Sequence, residues 1–356
     1  MLKFTNWIEG DMLCDRDGDV HNGALTTKVS VAAPAGSDIT VNGARAAFAD
    51  GIYTANVTLS QYETKVCATD AASGESVSIT LFWLPNYGGK YRVSLDDNIW
   101  FLRDIAEHNY DSIFENPYLA FWRELYEEFG TKTHINIYLK DDDDFTIAQV
   151  TDKYKAEWAA ARDFLRLSFH ARANLPARPY LHSGYDEVKR DVDDVRREIL
   201  RFAGEPMLGP TTTLHWGDAT IEGSRALRDA GYTIQVADFS YDMSPDACPI
   251  AYYLEGEQRT HMFDRFIWRD TTENITFVRC AIIVNTYETE EIAPFLDDVA
   301  SDPHHGAYID LLIHEQYFYE SYPDYQPNYR EKMRVAVKWA VDNGYESAFL
   351  DEVIPG

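Results

Sequence analysis

The sequence predicts a two-part α/β protein: a small all-β immunoglobulin-like sandwich followed by an irregular TIM-like (β/α)7-8 barrel. Two observations support this prediction. Short β-rich segments separated by Gly, Asn and Asp turns fill the first quarter of the 356 residues. Beyond them, strands alternate with amphipathic helices, which is typical of a parallel sheet with helical crossovers. We place the β-rich accessory domain at residues 1–86 and the barrel at residues 87–356.

The first domain is predicted from five evenly spaced strand-like runs: Lys28–Ala32, Ile39–Val41, Ile52–Leu59, Lys65–Ala68 and Val77–Trp83. Turn pairs such as Asn42-Gly43 and Asp50-Gly51 separate them, as in an antiparallel sandwich. The run from Val41 through Leu59 resembles bacterial immunoglobulin-like accessory domains found on carbohydrate-active enzymes. We expect this domain to brace the barrel rather than to bind glycan.

The barrel is predicted from repeated strand-then-helix units. One helix is capped by Asn116, begins at Pro117 and is ended by Gly130. Another carries apolar residues at intervals of three and four, which places them on one helix face: Val188, Val192, Val195, Ile199 and Phe202. The predicted strands are Tyr91–Leu95, His134–Leu139, Leu165–His170, Met207–His215, Tyr232–Ala237, Cys280–Asn285 and Tyr308–His314.

Composition limits the class of partner. The net charge of −27 and a pI near 4.6 disfavour nucleic acid and anionic membranes, because both carry negative charge. The four cysteines, Cys14, Cys67, Cys248 and Cys280, are far apart in the sequence and suit reduced structural thiols. With no signal-peptide pattern and no apolar run of spanning length, we expect a cytoplasmic protein, although a trimmed secretion signal leaves the same sequence. The oligomeric state stays open.

Polar residues at four predicted strand ends provide the main indication of function. One strand ends in Asp96 and Asp97, and three others end in His170, His215 and His314. The carboxyl ends of the strands in a parallel barrel meet on one face, so these side chains are expected to converge. Carboxylates and imidazoles together suit a divalent metal with acid and base partners.

Further residues extend this candidate site. Glu315 follows His314 and is a second catalytic candidate, while Asn174 lies four residues after His170 and offers an amide oxygen. Aromatic side chains near the strand ends are candidates for stacking against a sugar ring: Trp100, Trp216 and Tyr317.

The order of these motifs resembles that of the polysaccharide deacetylases, which are metal-dependent carbohydrate esterases. Val93–Asn98 is similar to the family's Asp-Asp strand, and His170–Asn174 to its His-x-x-x-His loop with Asn174 replacing the second histidine. Ala226–Tyr232 is similar to a later helix, and Leu312–Glu315 to the Leu-x-His strand. His215 stands near the place of a family arginine that this chain lacks. The resemblance covers about residues 90–350.

The resemblance implies a role for each matching residue. Asp96 would be the general base, and His314 would be the general acid. Asp97 and His170 would bind zinc or a similar divalent ion. Because an amide oxygen is a weak zinc ligand, either His215 completes the site in place of Asn174 or the metal has been lost.

Three functions remain open from the sequence. The first is metal-dependent hydrolysis of a carbohydrate, most simply removal of an acetyl group from a glycan or amino sugar. The second is acid/base chemistry without a metal on the same barrel, as in a glycosidase, lyase or epimerase. The third is a catalytically inactive glycan-binding protein. Aromatic residues suit all three, so metal content is the property that separates them.

Overall fold

The computed structural model describes residues 2–239 and 250–355, and the chain divides into two compact units. The first unit comprises residues 1–88, 267–274 and 353–355, and the second residues 89–266, 275–352 and 356. Cys248, one of the cysteines interpreted as a structural thiol, lies outside the described residues. Within the described residues, no disulfide joins the other three cysteines to one another.

The first unit is built from short strands. They are β1 Lys3–Phe4, β2 Met12–Leu13, β3 Asp19–His21, β4 Ala24–Ala32, β5 Ile39–Val41, β6 Ala44–Arg45, β7 Ala47–Ala49, β8 Ile52–Leu59, β9 Glu63–Asp70, β10 Ser76–Trp83 and β16 Ile267–Asp270. One sheet has the order β1-β4-β8-β7, with β3 paired to β4, and the other has the order β2-β10-β9-β5-β6. All five predicted strands of this region are confirmed, while its immunoglobulin-like class stays a prediction.

Alternation of side chains explains the core of the first unit. In β8 the buried residues are Tyr53, Ala55, Val57 and Leu59, because every second residue of a strand points to the same face. The turn between β5 and β6 uses Asn42 at φ 48° and Gly43 at φ 81°. Both values favour Asn and Gly, which is why this pair predicts a tight hairpin.

The second unit alternates strands with helices. Its strands are β11 Lys90–Asn98, β12 Thr133–Tyr138, β13 Leu165–Ala171, β14 Thr211–Thr213, β15 Ile234–Ala237, β17 Ile275–Arg279, β18 Ile282–Ile283, β19 Tyr308–His314 and β20 Glu346–Ser347. The helices are α1 Trp100–His108, α2 Pro117–Phe129, α3 Lys155–Ala160, α4 Tyr185–Phe202, α5 Ile221–Asp229, α6 Gly256–Arg265, α7 Thr289–Ser301, α8 Tyr329–Asp342 and α9 Leu350–Val353.

These strands form parallel sheets. One has the order β13-β12-β11-β19-β18, with β20 paired to β11, and in another β15 lies between β14 and β17. Each of these pairings is parallel. The architecture is therefore mixed α/β and consistent with an α/β barrel. The number of strands in a closed barrel stays a prediction.

The capping residues predicted from the sequence bound α2 in the structure. The side chain of Asn116 accepts a hydrogen bond from the Leu119 amide, Pro117 is the first helical residue, and Gly130 ends α2 at φ 70°. The five apolar residues predicted to share one face of α4 are all buried.

Two predicted strands are much shorter in the structure. Met207–His215 was predicted as one strand, but only Thr211–Thr213 is extended. Pro206 and Pro210 have no N–H to donate to a ladder, and residues 205–207 and 215–217 form 3-10 turns instead. Cys280–Asn285 is reduced to Ile282–Ile283 because a 3-10 turn begins at Val284.

A buried ion pair joins β11 to β19. Arg92 Nη2 lies 2.7 Å from Asp310 Oδ2, and neither side chain is exposed. The two residues are partners in the ladder, and the same register places Asp96 opposite His314 four residues later. The polar strand ends are therefore aligned on adjacent strands.

No helix within residues 2–239 or 250–355 combines the length and the apolar character needed to cross a membrane.

Candidate metal centre

The end of β11 carries both predicted aspartates in a β-bulge. Leu95 pairs with Ile135 and Asn98 with Ile137, so three steps along β11 match two along β12. Asp97 takes φ 62°, a left-handed conformation that Asp tolerates better than most residues. Such a bulge redirects side chains. As a result, Asp96 and Asp97 both line one cavity of about 480 Å³.

His170 also lies in an irregular ladder position. Ile137 pairs with Phe169 and Tyr138 pairs with Ala171, so His170 is the extra residue of β13. Its Nδ1 donates to the Thr213 carbonyl oxygen at 2.5 Å. Because a carbonyl can only accept, this bond places the ring hydrogen on Nδ1. Nε2 is left facing Asp97 Oδ1 at 3.0 Å.

The His215 side chain also approaches the Asp97 carboxylate, from a strained turn that follows β14. Trp216 has φ 66° and Gly217 has φ 59°. A Cβ on Gly217 would lie 2.6 Å from the Ala237 Cβ, so glycine is required there by both space and conformation. The turn places His215 Nδ1 3.0 Å from Asp97 Oδ1 and 3.2 Å from His170 Nε2.

Three electron-rich atoms therefore converge: Asp97 Oδ1, His170 Nε2 and His215 Nδ1. We call these three residues the trio. Zinc bonds to nitrogen and oxygen are about 2.0–2.1 Å, so tetrahedral ligand atoms lie about 3.3 Å apart, close to the spacings here. The hydrogen bond that fixes His170 is also the arrangement usual for metal-binding histidines. This donor set fits a divalent cation.

Burial and the histidines together set the charges of the trio. Burial alone would raise the pKa of Asp97, but its interactions with His170 and His215 hold it well below the usual range. Burial lowers the pKa of His170, and interaction with Asp97 only partly offsets that effect. A neutral His170 with its hydrogen on Nδ1 presents a lone pair to the carboxylate, an arrangement that a cation between them would stabilise.

Two neighbours orient the Asp97 carboxylate. The Tyr138 hydroxyl donates a short hydrogen bond to Oδ1 and also lies 3.0 Å from His215 Nδ1. Gln316 Nε2 donates to Oδ2 at 2.9 Å. Sequence reasoning missed both residues. Tyr138 lies inside the predicted strand His134–Leu139, where no pattern singles it out, and no motif marks Gln316.

Asp96 and His314 flank the trio in the same cavity. Asn136 Nδ2 donates to Asp96 Oδ1 at 2.7 Å, and burial with the nearby Asp97 charge raises the pKa of Asp96 well above its usual value. His314 Nδ1 lies 2.9 Å from Asn285 Oδ1. Burial lowers the pKa of His314. Asn136 was another residue that sequence reasoning missed.

Glu315 is placed away from this cavity. Its buried carboxylate accepts hydrogen bonds from the backbone amides of Ile99, Trp100 and Phe101 at 2.6, 2.9 and 2.7 Å, and from the Tyr319 hydroxyl at 3.1 Å. It therefore caps the N-terminus of α1. Burial raises its pKa to about 7, although the three amide bonds oppose that shift.

The remaining predicted residues divide into two groups. Asn174, Trp216 and Tyr317 line the same cavity as the trio. However, the Asn174 amide is exposed and donates to Asp142 at 3.3 Å. Trp100 packs edge-on against Tyr319 and Tyr322 and lines a different pocket.

Comparisons with known proteins add little. No family model and no curated protein matches the sequence. Among solved structures, a 4-alpha-glucanotransferase from Thermococcus litoralis has 14% identity over 75% of this chain, with a TM-score of 0.38. This chain spans 39% of the length of that enzyme. A candidate alpha-galactosidase from Bacteroides fragilis has 10% identity over 96% of this chain and 78% of its own, with a TM-score of 0.24. Similarity at these scores does not establish a shared function.

Proposed function

We propose that this protein is a metal-dependent hydrolase that removes an acetyl group from a glycan or an amino sugar. The observation that carries the proposal is the convergence of Asp97 Oδ1, His170 Nε2 and His215 Nδ1 within 3.0–3.2 Å of one another. Asp96 and His314 line the same cavity. This combination suits hydrolysis better than binding alone, since binding requires neither a base nor an acid.

Asp97, His170 and His215 would hold the divalent ion, zinc or a similar metal. Such an ion, when bound, polarises an acyl carbonyl and lowers the pKa of water. Tyr138 and Gln316 keep the Asp97 carboxylate in place from its two oxygens. The protein thus supplies a rigid donor set, which matters because misplaced ligands reduce both affinity and rate.

Asp96 is suited to take a proton from the attacking water. Asn136 binds its Oδ1, which leaves Oδ2 to accept that proton. Burial raises the pKa of Asp96, so its carboxylate, when ionised, is a stronger base than that of an exposed aspartate.

His314 is suited to deliver a proton to the leaving group. If Asn285 Oδ1 accepts a hydrogen bond from Nδ1, the remaining nitrogen, Nε2, carries the exchangeable proton of the charged ring. Transfer from Nε2 to the leaving oxygen or nitrogen releases the sugar hydroxyl or amine, and acetate is the other product. Asp96 and His314 thus divide proton removal and proton delivery.

The sugar part of the proposal rests on the sequence resemblance and on the walls of the cavity. Trp216 is 44% exposed at the rim, and Tyr317 and Tyr322 line the same space with their rings 5.3 Å apart. Aromatic faces with a few polar groups are usual in sites for small organic ligands.

The test combines metal content with acetate release. We expect about one zinc or similar ion per chain after zinc is supplied, and acetate release from acetylated chito-oligosaccharides that stops when a chelator removes the ion. A protein that retains no stoichiometric metal under these conditions would contradict the proposal. Sugar turnover by metal-free protein would instead support acid/base chemistry by Asp96 and His314.

A further inference from the structure

The second unit contains another cavity, of about 510 Å³, beside the candidate metal centre. Asp238, Ile283 and Thr286 line both cavities, so the two spaces share a wall. The other lining residues include Phe263, Phe266, Arg279, Tyr287, Phe295 and His305. The two cavities are therefore adjacent.

The walls of this second cavity are rich in flat rings. Tyr287 and Phe295 have ring centroids 4.5 Å apart, and His305 stacks on Phe266 at 4.0 Å. Phe295 is half-buried, so part of its ring remains accessible. The accessible part of the Phe295 ring suits a ligand with its own flat, partly apolar face, whereas His305 and Arg279 already cover the Phe266 ring.

Polar groups in the cavity suit hydroxyl groups. Arg279, with a side chain only 16% exposed, stacks 4.2 Å from the Phe263 ring and 4.5 Å from the Phe266 ring, and its Nε donates to the Asp238 carbonyl. His305 forms a hydrogen bond with the Asp264 backbone, and its buried Nε2 has no hydrogen-bond partner within residues 2–239 and 250–355. The Arg279 guanidinium offers hydrogen-bond donors, and the Asp298 carboxylate that lines the same cavity offers an acceptor, so the pair suits hydroxyl groups.

The charges argue against an anionic ligand. Asp238 and Asp298 line the cavity together with Arg279. A phosphate or carboxylate would be repelled by these two aspartates, whereas a neutral ring with hydroxyl groups would not. Neutral sugar rings have the required combination of an apolar face and hydroxyl edges.

We propose that the second cavity binds another sugar ring of the substrate, so that the enzyme acts on oligosaccharides rather than on single sugars. The identity of the reaction at the first cavity rests on the proposed function. The assignment of a neutral, hydroxylated ring to the second cavity rests on its own walls.

Binding tests this inference independently of catalysis. Calorimetric titration of chelator-treated protein with the β-1,4-linked tetramer of N-acetylglucosamine should give binding that Phe295→Ala weakens about 10-fold, as expected for a lost aromatic contact. Phe295→Leu keeps an apolar side chain without a ring face and should show a similar loss if the alanine variant folds poorly. Phe48→Ala, an exposed aromatic change in the first unit, is the control. Equal affinity of the wild type and both Phe295 variants would overturn the inference.

Activity separates this inference from the proposed function. The kcat/KM for acetate release should rise from N-acetylglucosamine to its dimer and tetramer. Phe295→Ala should remove that rise, whereas the control Phe48→Ala should keep it. A monomer as good as the tetramer would overturn the inference but leave the proposed function intact. If no substrate is hydrolysed but the tetramer still binds in a Phe295-dependent way, the proposed function fails and the second binding site stands.

Discussion

Asp96 and His314 are direct partners on the adjacent parallel strands β11 and β19. Neighbouring strands in a sheet are about 4.8 Å apart, so the two side chains leave the same edge as close neighbours. Neither belongs to the converging trio of donor atoms. The proposed proton transfer and the proposed metal binding therefore involve different residues, and the two can be tested separately.

Changing the proton-transfer residues should abolish turnover without removing the metal. We expect Asp96→Asn and His314→Gln each to lower kcat for acetate release by about 10²–10⁴-fold, the usual loss of a general base or acid. Metal content, measured by elemental analysis, should stay at the wild-type value. Ser321→Ala provides a control at another pocket. Loss of the metal in either variant would show that the division of roles is wrong.

The identity of the third ligand can be decided by a matched pair of variants, because His215 and Asn174 line the same cavity. We expect His215→Ala to weaken zinc binding by more than about 100-fold, since ligand loss should cost at least as much as loss of an orienting partner. Asn174→Ala should bind zinc like the wild type. Competition with a chromogenic chelator measures both affinities. If zinc affinity falls in Asn174→Ala but not in His215→Ala, then Asn174 rather than His215 is the third ligand.

Tyr138 should influence metal affinity through Asp97. Tyr138→Phe removes the hydroxyl that donates to Asp97 Oδ1 and keeps the ring that packs against His170 and His215. We expect metal affinity to fall about 10–100-fold, with an unchanged circular dichroism spectrum. Tyr322→Phe, another tyrosine of the same cavity, should leave affinity unchanged. Equal affinity in the two variants would mean that the Tyr138 hydrogen bond does not orient the ligand.

Glu315 should matter for stability rather than for metal binding. Glu315→Gln replaces an acceptor of three backbone amides with a neutral amide, and we expect a loss in the free energy of unfolding that is larger at pH 5 than at pH 8, because burial makes the ionised carboxylate unfavourable in the folded state. Urea denaturation measures this loss, and Glu320→Gln at an exposed neighbour is the control. Zinc affinity should stay within a factor of two. If the Glu315→Gln protein is as stable as the wild type but inactive, Glu315 has a catalytic role and this prediction is wrong.

The turn at Asp70 should make the first unit sensitive to acid. Hydrogen bonds, above all from the Ala72 amide and also from Ser73 and Asp38, lower the pKa of Asp70 in the folded state. The stabilisation is therefore present above the unfolded pKa of about 3.9 and is lost as the pH falls through the lower folded value. Asp70→Asn should reduce the melting temperature at pH 7 and reduce it less below about pH 4. A constant difference across this range, with Glu63→Gln as control, would contradict this account.

Much of the candidate site was predictable because strand ends in a parallel sheet converge. Asp97, His170 and His215 each lie at the end of a predicted strand, and the structure brings all three together. Local capping signals likewise fixed α2, from Asn116 to Gly130. These predictions depend only on neighbouring residues and on a rule about sheet edges.

The parts that could not be predicted depend on distant contacts. The bulges at Asp97 and His170 arise from pairing with β12, and nothing local in the sequence marks them. Glu315 was expected beside His314, but it turns to cap α1, whose first residues lie more than 200 positions earlier. Asn136 and Tyr138 are two apart on a buried strand and therefore share a face. That spacing was the one signal that could have identified them.

The buried ion pair in the interior has a consequence for strand alignment. Sliding β11 by one residue along β19 would separate Arg92 from Asp310 and leave two charges buried without partners, at a cost of several kcal/mol. The same slip would separate Asp96 from His314. The buried ion pair therefore favours a single register of β11 against β19. Any molecule that folds with this pair intact also has its proposed base, Asp96, opposite its proposed acid, His314.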